Sequence, residues 1–310
     1  MVILYKKVCV FYGVAMQNIK KINYTIKSYM PKEMYPLYLK YAYFKQFGKI
    51  CSLSSPKSYS EKIQWSKLHR TNELLTRLSD KITVREWIKE KVGEEYLVPL
   101  VGDIYSRAEN ISFDNLPNRY VMKANHGCGF VAVINDASQV DKDRLRFEAD
   151  NWLKHNFAFE TLELQYKNIE PKIYFEKNLL TSEMKGLTDY KFFCFNGKVF
   201  CLYVMIDTYP DHKKAKLGIL DRDFNMLPYR RADFEAIERP LKKPMNYEKM
   251  IELAEKLSEG FSHVRVDLYN INGKIYFGEM TFTTGSGFFK YDPEEFDEII
   301  GEKWNLHLGI

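Results

Sequence analysis

Several common chemistries are missing from this chain. Its five cysteines (Cys9, Cys51, Cys128, Cys194 and Cys201) form no CxxC pair, and neither HExxH nor GxSxG occurs. Structural zinc, zinc-peptidase and serine-hydrolase readings therefore have no support. An odd cysteine set also makes no complete disulfide framework, so a reducing cytoplasm is expected. The phosphate-binding patterns GxxxxGK[ST] and GxGxxG are absent too. No run reaches 18 apolar residues; the segment VCVFYGVAM after Lys6-Lys7 is too short to span a bilayer and makes at best a marginal signal peptide. The lysines are dispersed, the net charge is only +5, and no like-charge block indicates nucleic acid. Such a surface suits nucleotide phosphates, an acidic polymer or an anionic membrane face equally. There is no repeat, low-complexity tract or heptad array.

What remains is a chain of 310 residues, 45% hydrophobic, with 22 Tyr and 21 Phe, a composition that folds. Residues 1–76 read as a helical, basic region in which Tyr35, Tyr38, Tyr41 and Tyr43 recur at helical spacing before SLSSPKSYS breaks the pattern. That stripe is a packing surface or, with Lys40 and Lys45, a rest for a membrane or glycan. DKITVREWIKEKVG reads as an amphipathic helix with Ile82, Trp87 and Ile88 inward, and YLVPLVGDIYS as a short strand. Tyr120–Ala124 and Phe130–Ile134 read as strands joined by a loop whose Gly127 and Gly129 permit unusual backbone shapes. A helix follows, with Leu145, Ala149, Trp152 and Leu153 on one face; PKIYFEKNLL and DYKFFCFNGKVFCLYVMID then supply three strands, the last two turning at Asn196-Gly197. Residues 221–244 cross the surface loosely. NYEKMIELAEKLSEG is a helix with Met250, Ala254 and Leu257 inward, Asn246 as N-cap and Gly260 as its stop. Antiparallel strands with interposed helices predict an α+β architecture.

The hairpin after that helix, SHVRVDLYNINGKIYFGEMTFTTGSG, carries the most chemistry. Alternation puts Val264, Val266 and Leu268 on one face, and His263, Arg265 and Asp267 on the other. Whether Glu279 joins Asp267 depends on register. A regular two-residue Asn-Gly loop pairs Asp267 with Gly278 and turns Glu279 away, whereas a bulge or a longer loop pairs Asp267 with Glu279. Two convergent carboxylates repel unless a cation separates them, and Mg²⁺ with phosphate oxygens is the usual solution. The alternative is a solvated sheet face with an Arg-Asp pair. In KANHGCG, flexible backbone N–H groups and Lys123 could cover phosphates, or the segment is an ordinary hairpin loop. His126 and Cys128 are either functional or spacers.

Taken in order, SPKSYSEKIQW, LSDKITVREWI, YVMKANHGCG, DYKFFCFNGK and VRVDLYNINGKIYFGEMTFTTGSGF resemble the ATP-grasp superfamily, and more closely its TupA-like family of bacterial surface-polysaccharide biosynthesis proteins. The resemblance runs from about residue 35 to the C-terminus. It implies an ATP-grasp fold, two α+β subdomains gripping ATP, here divided as 77–174 with the glycine loop and 175–310 with the metal site, preceded by the helical appendage 1–76. It further implies that Lys81 and Lys123 contact the nucleotide, that the loop of His126, Gly127, Cys128 and Gly129 covers its phosphates, and that Glu176 with the backbone of Lys177 to Leu179 meets adenine. Asp189 stands where a ribose-binding acid is often found. Asp267 and Glu279 correspond to carboxylates for Mg²⁺, and Arg265 to the arginine steadying the transferred phosphoryl group. Thr281 replaces the asparagine found two residues after the glutamate in many relatives, which makes a second metal a weaker prospect.

The implied activity is ATP-dependent joining of an amine, such as an amino acid, to a small-molecule or glycan carboxylate through an acyl phosphate. Gly285-Ser286-Gly287 could offer backbone N–H groups to that carboxyl, or be a wide turn. The expected setting is the cytoplasm, peripheral to the inner face of the membrane where polysaccharide machinery sits, with no nucleic-acid partner. A sugar or glycan kinase and a non-catalytic glycan-binding or assembly module are the competing readings.

Overall fold

A computed structural model describes residues 22–181, 184 and 186–308. The apolar segment near the start of the chain lies outside the described residues. The N-terminal helices are α1 (22–29), α2 (Tyr35–Phe47), α3 (Tyr59–His69), α4 (Glu73–Ser79) and α5 (Val84–Lys91). A three-stranded antiparallel sheet follows in the order β2-β1-β3, from β1 (Tyr120–Ala124), β2 (Val131–Ile134) and β3 (Ile173–Lys177), with α6 (Lys142–Leu153) and α7 (Ala158–Thr161) between β2 and β3. The larger sheet has the order β10-β9-β4-β5-β6-β8. It contains β4 (Asp189–Phe195), β5 (Lys198–Ile206), β6 (Lys216–Asp221), β8 (Glu235–Ala236), β9 (His263–Ile271) and β10 (Lys274–Thr281). β7 (Arg230–Arg231) pairs with β11 (Tyr291–Asp292); α8 (Tyr247–Leu257) precedes β9, and α9 (Glu295–Lys303) closes the order of elements.

Period-2 alternation decides which faces are buried. In the small sheet Met122, Ala124, Ile173 and Phe175 pack with Leu145 and Ala149 of α6, which leaves Lys123 and Glu176 on the other face. In the large sheet Phe192, Leu202, Val204, Val264, Val266 and Leu268 pack on Met250, Ala254 and Leu257 of α8 and on Ile88 of α5. Its opposite face is packed with aromatic and aliphatic side chains at one end. There Phe193, Phe195 and Tyr203 meet Tyr59 and Ile63 of α3 and Phe296, Ile300 and Trp304 of α9. Each such side chain contributes roughly 1.5–3 kcal/mol through burial, so α3 is anchored in the large sheet's packing. The other end of that face carries Asp189 and Asp267, both buried, and the half-buried Lys191.

Both Asn-Gly turns form as the sequence predicts, with positive φ at Asn196 and Gly197 (50° and 76°) and at Asn272 and Gly273 (53° and 87°). Three expectations change. YLVPLVGDIYS forms no strand; it touches the edge of β3 only at Leu100↔Glu176 and Tyr105↔Ile173, because Pro99 has no N–H and Gly102 turns the chain at φ 71°. Asn246 does not cap α8 with its side chain. It sits at φ 59°, and its Nδ2 donates to Gly273 O (2.8 Å), bracing the β9–β10 turn instead. The aromatic stripe of α2 is split, since Tyr35 and Tyr43 are buried whereas Tyr41 is 61% exposed. No described helix is long and apolar enough to cross a membrane.

Candidate functional site

The β9–β10 hairpin begins in the regular register, Lys274 opposite Ile271, and keeps it as far as Phe277 opposite Leu268. At Gly278 the ladder bulges. Beyond it Glu279 stands opposite Asp267 and Thr281 opposite Arg265, so these four side chains share one face. Glycine suits the extra position because a Cβ there would lie 3.0 Å from the Asp267 carbonyl oxygen.

Arg265 organises the cluster. Its Nε and one terminal nitrogen donate to the two Asp267 carboxylate oxygens (2.6 and 2.7 Å), and the same terminal nitrogen reaches Glu279 Oε1 (2.8 Å) and Thr281 Oγ1 (3.0 Å). Lys191 on β4, across from Asp267 in the sheet, donates to Asp267 Oδ2 (2.7 Å) and lies 3.5 Å from Asp189. Burial works to raise the Glu279 carboxyl, but Lys81, Arg265 and Lys191 outweigh it and hold it down at about 2. Burial likewise works against the charged form of Lys191, and Asp189 and Asp267 reverse it to a raised value.

Lys81 joins the two halves of the cleft. It donates to Gly127 O (2.5 Å) in the glycine loop and stands 3.7 Å from Glu279 Oε2 across the cleft. Below the loop, Lys123 donates to Glu176 Oε2 (2.6 Å), while Arg85 of α5 approaches Glu176 Oε1 (3.3 Å). The loop's base is fixed by Asn125, whose Nδ2 donates to Asp80 Oδ1 (3.0 Å). Gly129 has φ 80°, and a Cβ on Gly127 would strike Phe130 and Phe157 at 2.8–2.9 Å. Cys128 is exposed at the loop tip, and desolvation of its sulfur, followed by the charge of Glu279, raises its thiol.

Some expected contacts fall elsewhere. The His126 ring is buried, and its Nε2 meets the carbonyls of Trp152 (2.9 Å) and His155 (3.1 Å), so it anchors the loop to the end of α6 rather than facing the cleft. Lys177 N–H is donated to Pro99 O (2.9 Å), and Leu179 is half-buried beyond the end of β3. Lys191 and Arg85 are additions that strand alternation in DYK and the helical reach of VREWI could have suggested. A cavity of about 520 Å³ lies between α2, the start of α3 and residues 289–298, and contains none of these groups.

Among the described residues no group of three or more His, Cys, Asp and Glu side chains is placed to hold a metal. The donors present, two carboxylates and a hydroxyl in register, fit a hard cation that takes its remaining ligands from phosphate oxygens, as Mg²⁺ does.

No curated protein sequence matches the chain. Among solved structures, it is similar to D-alanine–D-alanine ligase from Bacillus anthracis complexed with ATP, at 16% identity and TM-score 0.35, over 67% of this chain and 55% of that one. It is also similar to the ATP-grasp ligase PsnB complexed with a phosphomimetic variant of its minimal precursor, Mg and ADP (11%, TM-score 0.39, 79% and 66%). A third is D-cycloserine synthetase DcsG (14%, TM-score 0.40, 75% and 72%). The chain spans a little over half the length of the first of these. A family model described as TupA-like ATPgrasp matches residues 61–305, from the first turn of α3 to just beyond α9 and through every element of the cleft: the chain belongs to the TupA-like ATP-grasp family.

Proposed function

We propose that the protein is an ATP-dependent carboxylate–amine ligase. The observation that carries this reading is the convergence of Asp267, Glu279, Arg265 and Lys191 on one sheet face, with Lys81 linking Glu279 to the glycine loop. A solvated sheet face has no need of three buried or half-buried cations around two carboxylates, whereas a triphosphate supplies the negative charge that such cations meet.

In this reading the nucleotide lies between the two sheets, with Lys81 and Lys123 toward its phosphates. Mg²⁺ held by Asp267 and Glu279 would supply charge neutralisation at the β- and γ-phosphates. A carboxylate oxygen of the acceptor attacks the γ-phosphorus; the bond from that phosphorus to the bridging oxygen breaks, ADP leaves, and an acyl phosphate forms. The amine nitrogen then attacks the acyl carbon, the bond to the phosphate oxygen breaks, inorganic phosphate departs, and the amine gives up a proton. Arg265 and Lys191 offset the charge that develops on the equatorial oxygens, and the glycine loop excludes water from the acyl phosphate. The acceptor is a uronic acid or related acidic group of a surface polysaccharide, and this rests on the family resemblance alone.

The test is ADP release screened over uronic acids and amino acids in pairs. Release that requires both an acid and an amine, with amide as product, supports the ligase. A phosphorylated sugar formed without an amine supports a kinase in its place, and no ATP turnover or binding supports a non-catalytic module.

A further inference from the structure

The chain's positive charge is concentrated at one end. Residues 1–50 hold nine lysines and a single acid, Glu33, a net charge of +8; since the whole chain is only +5, residues 51–310 sum to −3. Four of those lysines, Lys6, Lys7, Lys20 and Lys21, precede the described residues, and the other five lie on or beside α1 and α2. A charge imbalance of this kind marks a part of the surface that meets an anionic partner.

The two helices that carry this charge are apolar on two sides. Inward, Tyr24 of α1 and Tyr35 and Leu39 of α2 pack with Phe159 and Leu162 at α7. Lys27 of α1 lies over the Tyr38 ring of α2 at 5.6 Å, so the helices are neighbours. Outward, Ile22, Ile26 and Tyr29 recur at the i, i+4, i+7 spacing of one helix face on α1, and Leu37, Tyr41 and Phe44 repeat that spacing on α2. All six are exposed, Tyr29 at 85% and Leu37 at 63%. Because both inner faces meet one cluster, both outer stripes face away from it. A helix that is apolar on every side is normally covered, and among the described residues nothing covers these six. Lys40 lies one turn from Leu37 and Phe44, and Lys45 one turn from Tyr41; both lysines are exposed.

Charge and chemistry together select the partner. A second copy of the chain would bring like charge against like charge. Nucleic acid would satisfy the lysines but leave Ile26, Leu37 and Phe44 with nothing to gain from phosphates. An anionic bilayer satisfies both sets: the lysines stay at the level of the phosphates, the aliphatic and phenyl groups enter the acyl boundary, and the Tyr29 and Tyr41 hydroxyls remain among the headgroups. We propose that α1 and α2 form a peripheral docking surface for an anionic lipid bilayer, with the two exposed apolar stripes entering its interface and the lysines of residues 1–50 holding its headgroups. At 13 residues α2 is shorter than the roughly 20 that span a bilayer, so it lies along the surface. The inference does not depend on the ligase reading.

The test is flotation of the full chain with vesicles of mixed phosphatidylglycerol and phosphatidylethanolamine, and with vesicles of phosphatidylcholine alone, at low and high salt. Wild type is compared with the double variants Leu37→Gln/Phe44→Gln and Lys40→Gln/Lys45→Gln; all four positions are exposed, and unchanged thermal midpoints confirm that the variants fold. The wild type is expected to bind the anionic vesicles, less at high salt because screening shortens the reach of the lysines, and to bind phosphatidylcholine little. Each double variant should bind the anionic vesicles about tenfold or more weakly, since one lysine at an anionic surface contributes a factor of about five and one buried apolar side chain about tenfold or more. Absence of wild-type binding, or binding unchanged in either variant, would overturn the inference. So would a dimer that dissociates in Leu37→Gln/Phe44→Gln, which assigns the face to a second copy, and so would binding of duplex DNA in place of vesicles, which assigns the lysines to nucleic acid. None of these outcomes touches the ligase reading, which is judged by ADP release.

Discussion

Asp267 faces Glu279 across the β9–β10 ladder only because Gly278 bulges out of it. In an unbulged ladder the same residues would put Glu279 on the face packed against α8, with a carboxylate buried among Val266 and Leu268. Two expectations separate the bulge from the glycine. Deleting Gly278 leaves Glu279 as the next residue after Phe277 in a regular ladder, still opposite Asp267, so Mg-ATP affinity should survive within a few-fold. Gly278→Val presses a branched Cβ against the Asp267 carbonyl oxygen and should weaken it by about tenfold or more, the order of 1.4 kcal/mol. Calorimetric titration of the two variants checks both.

Arg265 and Asp267 form a buried ion pair, with side chains 9% and 4% exposed. Removing Asp267 takes the bidentate partner from Arg265, which keeps only Glu279 and Thr281, and the nearest partner from Lys191, so Asp267→Ala should cost about 3 kcal/mol of unfolding free energy. Adding Arg265→Met should recover part of that loss, since Glu279 keeps Lys81 at 3.7 Å, and none of the ATP turnover. Urea denaturation of the single and double variants provides the comparison, and equal stability of the two would show that the pair is not a coupled unit.

His263 sets an acid limit on stability. Its Nδ1 faces Cys194 O (2.9 Å) and its Nε2 faces Tyr59 Oη (2.8 Å), a pattern that satisfies the neutral ring with the proton on Nδ1. Burial lowers its pKa from 6.5 to about 3. The unfolded chain takes up that proton first, so the stability tied to this group is complete above about pH 6.5 and is lost progressively toward pH 3. Denaturation midpoints measured across this range should fall in the wild type and fall less steeply in His263→Gln.

Lys123 and Arg85 share Glu176. Lys123→Met removes the charge that the proposed function directs at phosphate while Arg85 keeps the glutamate paired, so Mg-ATP should bind about tenfold more weakly with stability changed by no more than about 1 kcal/mol. A loss of fold equal to the loss of binding would assign Lys123 to structure instead.

Much of this was legible in the residues themselves. Strand alternation separated Val264, Val266 and Leu268 from Arg265 and Asp267, and Asn-Gly dipeptides located both tight turns, because these signals are local. Strand alternation alone permits two registers for Glu279, since a bulge is decided by what the opposite strand buries. Lys191 and Arg85 escaped notice for a related reason: a lysine or arginine reads as a solvated charge until tertiary packing supplies its carboxylate partners. Asn246 and His126 show the converse. Each has the residue type for a local role, a helix cap and a loop contact, and each is drawn instead to a distant backbone carbonyl, at Gly273 and at Trp152.

The central claim is that Asp267 and Glu279 serve a metal–nucleotide complex. Titrating ATP into the wild type and into Glu279→Gln, each with and without Mg²⁺, tests it most directly, because Glu279 is the more exposed carboxylate and its amide analogue keeps the size of the side chain. The account predicts tight, Mg²⁺-dependent binding in the wild type, and binding in the variant that is weaker by about tenfold or more and nearly indifferent to Mg²⁺. Equal affinity and equal Mg²⁺ dependence in the two proteins would contradict it.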